Sequence, residues 1–521
     1  MCRKQFVFLA LVLFASAAYA EIKLPAIISD NMVLQAQTKV PIWGWAEAQS
    51  EIKVTCSWSP TEYTAHSDSN GRWLVKVDTP KSGGKYEITI TCGQESKTIN
   101  NILIGEVWLC SGQSNMEWLV MQANNAEKEI SEATYPDIRL FKVQEGTSKE
   151  PVDDCNGQWK VCSPKSAAKF SAVGYFFGRE IYKRLNVPVG LINSSFGGTP
   201  AEAWTRREIL ENNDDLKRYP ERDAIIEKQR GKYERRYDQM LEQWQKDVNA
   251  AQASGAKPPK KPRGPQELEE KFKCSRLYNV MIHPLIPFAI KGVIWYQGEG
   301  NVDKAFPYRK LFPAMIKSWR EEWKQGDFPF YYVQLASFGV DMKKTPAGLP
   351  NLEVPTNSKW AELREGQLMT LSLPNTGMAV AMDVGEIDTI HPKNKQDVGK
   401  RLALWALAKT YGFKNIVYSG PLYKKMEIEG DKARIFFEQT GSGLMVKGNS
   451  LKGFAIAGAD EKFVWADAKI DGDTVLVWSK QVKNPTAVRY GWADWIDCNL
   501  YNKEGLPAAT FRTDNFPAMT K

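Results

Sequence analysis

Residues 109–118 read LCSGQSNMEW. The segment just before, EVWLC at 106–110, is a short apolar run of the kind that forms a buried strand. Polarity then changes at once, and Ser111, Gly112, Gln113, Ser114 and Asn115 follow in succession. On an open α/β sheet such a segment faces the ligand crevice, because ligands bind beyond the carboxyl ends of the strands. Gly112 permits a tight turn, and Ser114 lies where that turn leads into a helix. Backbone N–H groups there, its own included, can face a developing oxyanion. Ser111 is closer to the strand end and shapes the turn. The motif GQSNM carries Met116 where a G-x-S-x-G nucleophile elbow has its second glycine, so an α/β-hydrolase is not the first expectation.

The same pattern recurs downstream. VPVGLINS, AIKGVIWYQ, FPFYYVQLA and GMAVAMD are further apolar strand candidates, and helical spacing marks SAVGYFFGREIYKRL, YRKLFPAMIKSWREEW and AELREGQLMTLSL between them. Apolar strands alternating with helices predict a mostly parallel sheet covered on both faces, over residues 105–412. Polar clusters follow several of the strands: NSSFGGT at 193–199, QGEGN at 297–301, and Asp383 with GEIDTIHPKN. Residues 21–104 and 413–521 differ, with short alternating runs such as GRWLVKVDT and KARIFFEQ separated by SDSNG, KSGG and DGD turns; both read as β-sandwich-like regions. Residues 206–271 are highly charged and read as a solvated helical insertion, broken by AQASGAKPPKKPRGP.

Whole-chain properties narrow the class. A chain of 521 residues exceeds the size at which one core keeps growing, which agrees with several domains. Residues 1–20 carry Arg3 and Lys4, an apolar run and a small-residue end, and read as a secretory signal cleaved before Glu21; the expected location is periplasmic or extracellular. No later apolar stretch is long enough to span a bilayer, so stable membrane insertion is not expected. The formal charge of +8 is mild for this length and no dense basic stripe stands out, which argues against a nucleic acid partner. Export permits disulfides, and Cys56 with Cys92 and Cys155 with Cys162 are candidate pairs. No CxxC pair and no His/Cys cluster supports a metal site.

A serine hydroxyl needs a base. The chain has three histidines, so the choice is short. His66 falls in the first β region, and His283, before Pro284, reads as structural. His391 follows Asp388 by three residues in a loop. A carboxylate so placed can hold Nδ1–H and leave Nε2 to accept a proton; Asp388 can equally cap the turn. Gly197 or Gly198 and the Gln297 amide are candidate oxyanion donors, and the set suits ester hydrolysis.

GQSNMEW, NSSFGGTPAEAW, WYQGEGN and DTIHP together resemble the blocks of sialate O-acetylesterases and related carbohydrate acetylesterases of the SGNH-hydrolase type. LYNVMIHPL and LREGQ also match, with Val280 in place of the usual glycine, and the likeness extends from MVLQAQTKVPIWGWA to LPAATFRTD. The resemblance implies a three-layer α/β/α catalytic domain with a parallel sheet, flanked by the two β-sandwich-like regions. It implies a serine esterase that removes O-acetyl groups from sialic acid, the 9-O-acetyl foremost, through an acetyl-serine intermediate. Ser114 is then the nucleophile, His391 the base and Asp388 its orienting acid. The oxyanion hole comprises Ser114, Gly198 and Gln297, the last standing where the SGNH pattern has asparagine. Asn115, Glu299 and Arg364 are candidates for binding substrate; Glu299 and Arg364 can equally form a structural ion pair. No cofactor or metal is implied. Acetylated xylan or another polysaccharide is the alternative substrate. A non-catalytic glycan-binding protein would lack Ser114 or His391. A glycosidase would need two opposed carboxylates among Glu117, Glu202 and Glu299. Trp118, Trp204 and Trp295 are candidates for stacking on sugar rings.

Overall fold

The computed structural model describes residues 21–339, 354, 355 and 357–521; the expected signal segment lies outside them. The central sheet has seven strands: β1 Glu95–Gly112, β2 Tyr135–Lys142, β3 Trp159–Cys162, β4 Val189–Ser195, β5 Gly292–Tyr296, β6 Phe330–Gln334 and β7 Thr376–Val380. They lie in the order β7-β6-β5-β1-β4-β2-β3, all pairs parallel except the antiparallel edge pair β2–β3. Five of these strands match the apolar runs read from the sequence. The two at one edge do not, because Asp137 and Arg139 interrupt β2 and β3 has only four residues.

Register explains the layering. Trp108 of β1 is paired with Gly292 of β5, so Trp295, three residues on, points to the opposite face. Trp108 packs edge-on against Phe177 of helix α2 (Ala172–Leu185), whereas Trp295 stacks on Phe312 of helix α3 (Ala305–Trp323). Both indoles are fully buried, as sheet residues covered by helices on two sides must be. Helices α4 (Lys359–Met369) and α5 (Lys395–Trp405) complete the two outer layers.

The expected change of architecture near residue 104 falls inside a single strand. The first half of β1 pairs antiparallel with Gly83–Cys92 in the N-terminal β region, and its second half is the centre of the parallel sheet. Beyond residue 413 the strands are antiparallel, with Leu422–Glu429, Lys432–Glu438, Thr474–Trp478 and Asp467–Asp471 forming one sheet and Phe454–Ala457 and Ala487–Tyr490 lying in another. The charged insertion is helical, with Arg230–Ser254 burying no residue. Neither candidate cysteine pair is bridged, and all seven described cysteines are free. Cys56 pairs with Ile88 while Cys92 pairs with Ile52, four residues away along the ladder, or roughly 13 Å. The Cys162 thiol instead faces the carbonyl of Ala133.

Candidate active site

Ser114 opens a single helical turn, α1 Ser114–Glu117, immediately beyond β1. The turn depends on Gly112. Its φ is +140°, and a Cβ there would lie 2.1 Å from the carbonyl oxygen of Tyr296 on the adjacent strand. The half-buried Ser114 thus stands at the carboxyl edge of the sheet. Its Oγ lies 2.8 Å from Nε2 of His391, which arrives 277 residues later on the loop after β7. The imidazole stacks on Trp118 with ring centroids 5.0 Å apart and planes 20° apart. Burial, and then the Lys395 ammonium, hold its pKa below the ordinary histidine value. It is therefore in the neutral form that can accept a proton. Asp388 is an exposed residue of the same loop, where Glu386 and Thr389 form a β-bridge.

Behind the pair lies a buried polar chain. Asn115 donates from Nδ2 to Glu299 Oε1 at 2.5 Å and to the carbonyl of Ile390 at 3.0 Å, and its Oδ1 accepts from Lys395 Nζ at 2.5 Å. Both of its N–H groups are thereby used and the residue is 1% exposed, so it fastens the site and has no donor left for a substrate. Lys395 is fully buried, its ammonium 5.7 Å from the Trp118 ring centre and 5.4 Å from that of Tyr296; burial lowers its pKa to about 7 against the opposing pull of Glu299 and Glu386. Glu299 is raised by its own burial, and its Oε2 has no hydrogen-bond partner. The residue is half-buried and joins this chain through Asn115.

Other expected roles change. Both Gln297 N–H groups are engaged, one by the Thr199 carbonyl at 3.2 Å and one by Asn301 Oδ1 at 2.7 Å, and its Oε1 accepts from Tyr308. A fully committed amide cannot donate to an oxyanion, so Gln297 braces the loops instead. Arg364 has no exposed surface and gives its guanidinium to the carbonyls of Leu335, Ala336, Ala493 and Asp494. It joins the catalytic sheet to the C-terminal region, far from a substrate-binding role and without an ion pair to Glu299. Trp204 and Trp295 are buried edge-to-face on each other, which leaves Trp118 as the partly exposed indole of the three. Glu202 is buried between Arg222 and Lys304. His283 is structural, its Nδ1 3.0 Å from the Val152 carbonyl, and Ser111 is buried within β1.

Gly197 and Gly198 lie on the loop after β4. A Cβ on Gly197 would meet Ser114 Cβ at 3.4 Å, and its N–H serves the Glu117 carboxylate. Gly198 follows at φ +74° with open space around it. Sequence reasoning did not assign three residues the places they take here. Gln113 accepts the N–H groups of Gly298 and Gly300 through Oε1, tying the Ser114 turn to the loop after β5. Lys395 sits in a run, HPKNKQD, that carries no sign of burial. Glu117 is pushed up to about 7, by burial first and then by its hydrogen bond to Glu145. Its place one turn after Ser114 was the available signal. Among the described residues, no group of three or more His, Cys, Asp or Glu side chains is placed to hold a metal ion.

A serine hydroxyl bonded to a neutral imidazole, at the carboxyl edge of a doubly covered parallel sheet, defines a hydrolase-type site. Residues 104–254 and 263–408 match the model of the family described as carbohydrate esterase, sialic acid-specific acetylesterase. The chain belongs to that family and is a carboxylic ester hydrolase. It is 32% identical to a sialate O-acetylesterase of Rattus norvegicus, over 93% of each chain. To the Homo sapiens sialate O-acetylesterase it is 31% identical, over 96% of this chain and 95% of that one. Among solved structures, a carbohydrate acetylesterase from Xanthomonas citri is 37% identical, with a TM-score of 0.79, covering 95% of this chain and all of that one.

Proposed function

We propose that this esterase removes O-acetyl groups from sialic acid, the 9-O-acetyl foremost, through an acetyl-serine intermediate. The observation that carries the mechanism is the 2.8 Å contact between Ser114 Oγ and His391 Nε2. Support for the substrate comes from the family and from the sialate O-acetylesterases that match nearly end to end.

In this reading Ser114 attacks the acetyl carbonyl while His391 takes its proton. The N–H groups of Ser114 and Gly198 receive the oxyanion. His391 then protonates the departing sugar oxygen. Water, deprotonated by the same imidazole, releases acetate from the acyl-serine. Asp388, three residues upstream, is the proposed orienting acid. The stack on Trp118 limits the imidazole to a plane that keeps Nε2 on Ser114. Residues 1–20 support export to the periplasm or the medium as part of the same proposal, and the flanking β regions are read as structural supports.

The test is acetate release by the purified protein from O-acetylated sialic acid and from acetylated xylan, alongside Ser114→Ala and His391→Ala. Release from sialic acid, abolished in both variants, is the expected result. A preference for xylan overturns the substrate and leaves the chemistry, while undiminished activity in Ser114→Ala overturns the nucleophile.

A further inference from the structure

Beside the serine site, the far edge of the sheet carries a groove of 1130 Å³ along β2 and β3. Lys142, Lys160, Lys165 and Lys169 line it, all four exposed. None of the four forms an ion pair among the described residues. Glu145 is the single acid among the described lining residues, and the buried ring of Phe170 supplies an apolar floor. Four ammonium groups around one concavity that holds a single acid repel one another, a cost that an anionic occupant reduces.

The groove adjoins the catalytic turn. Lys142 ends β2 opposite Asn193 of β4, and Asn193 is opposite Cys110 of β1, so two strand spacings, roughly 10 Å, separate the lysine from the nucleophile strand. Glu145 at the groove's edge neighbours Glu117, one turn after Ser114, and Lys142 acts electrostatically on that same carboxyl. A glycan whose acetyl group occupies the serine site can therefore continue into the groove.

We infer that the Lys142, Lys160, Lys165 and Lys169 groove is a subsite for a carboxylated glycan, receiving the carboxylate of the acetylated sugar or of its neighbour in the chain. The inference deepens the proposed sialic acid esterase and rests on that reading for the identity of the sugar. The carboxylate is the shared chemistry; a uronic acid side group on a plant xylan would present it as well.

The experiment measures binding, by calorimetry at low salt, of a non-acetylated sialic acid oligomer, a glucuronic acid-substituted xylan oligomer and an unsubstituted xylan oligomer. The protein carrying Ser114→Ala is compared with the same protein carrying Lys142→Gln, Lys160→Gln, Lys165→Gln and Lys169→Gln as well, after both give the same thermal melting transition. The sialic acid oligomer is expected to bind best, to weaken as salt rises, and to lose roughly tenfold or more in the lysine variant, with the neutral oligomer unaffected. Equal losses for charged and neutral oligomers, or no loss for either, overturn the subsite. Tighter binding of the glucuronic acid-bearing oligomer keeps the subsite and overturns sialic acid as its occupant. Stronger binding of a single-stranded oligonucleotide of equal charge overturns the glycan assignment. Acetate release from O-acetylated sialic acid is read separately, so a failure of the proposed substrate is not confused with a failure of the groove.

Discussion

Asn115 Nδ2 donates to the carbonyl of Ile390 at 3.0 Å, so the residue after the proposed nucleophile is bonded to the residue before the proposed base. This amide, with the Ser114–His391 and Asn115–Lys395 contacts, ties two loops together across 275 residues of sequence. Asn115→Ala should lower kcat roughly 100-fold with little change in KM, because the substrate still binds while the Ser114–His391 alignment loosens. Steady-state kinetics on an aryl acetate decides this. A large rise in KM with unchanged kcat would instead return Asn115 to substrate binding.

The buried ammonium behind His391 gives a pH prediction. Burial and Lys395 both lower the His391 pKa, so the base form persists to lower pH and the acid limb of kcat/KM should lie below about 6.5. Replacing Lys395 and Glu299 together, as Lys395→Met with Glu299→Gln, removes the cation without stranding its partner. The imidazole pKa then rises, and the acid limb should move up by about half a unit. A limb that stays in place or moves to lower pH contradicts the assignment of Lys395 as a tuning charge.

Gly112→Ala tests the turn. The added Cβ would meet the Tyr296 carbonyl at 2.1 Å, with the backbone at φ +140°. Either β1 or β5 must shift, and Ser114 moves with the turn. We expect a loss of about 2 kcal/mol or more in stability and at least a tenfold loss in kcat. Denaturant unfolding and aryl acetate turnover measure the two, and wild-type values for both would show that the turn relaxes freely.

Arg364 should behave as a structural residue. Its guanidinium satisfies carbonyls from the β6 end and from Ala493 and Asp494, and Arg364→Met would leave them buried and unpaired. A cost of about 3 kcal/mol is expected in chemical denaturation. A change confined to KM, with full stability, would restore it to the substrate pocket.

The parts of this molecule that were legible in its sequence are those with local signatures. The five apolar strands and their polar ends mark the sheet edge that carries the candidate site, and Ser114 and His391, placed by separate motifs, meet there at hydrogen-bond distance. What was hidden depends on packing between distant segments. Gln297 resembles an oxyanion donor until Thr199 and Asn301 take both its N–H groups. Lys395 lies in a polar run and looks solvated, yet Trp118 and Tyr296 enclose it. Arg364 is charged, and only the fold shows that the C-terminal region covers it completely. Strands β2 and β3 escaped the apolar pattern because Arg139 is buried in β2 through hydrogen bonds to the carbonyls of Asn31, Asn101 and Pro136.

The central claim is that Ser114 carries the acyl group, activated by His391. The most direct measurement is labelling of the native protein with a fluorophosphonate, followed by peptide mapping and residual esterase activity. The account predicts a single label on Ser114, formed in step with loss of activity and much slower in His391→Ala. A label on another serine, or full activity in protein labelled at Ser114, would contradict it.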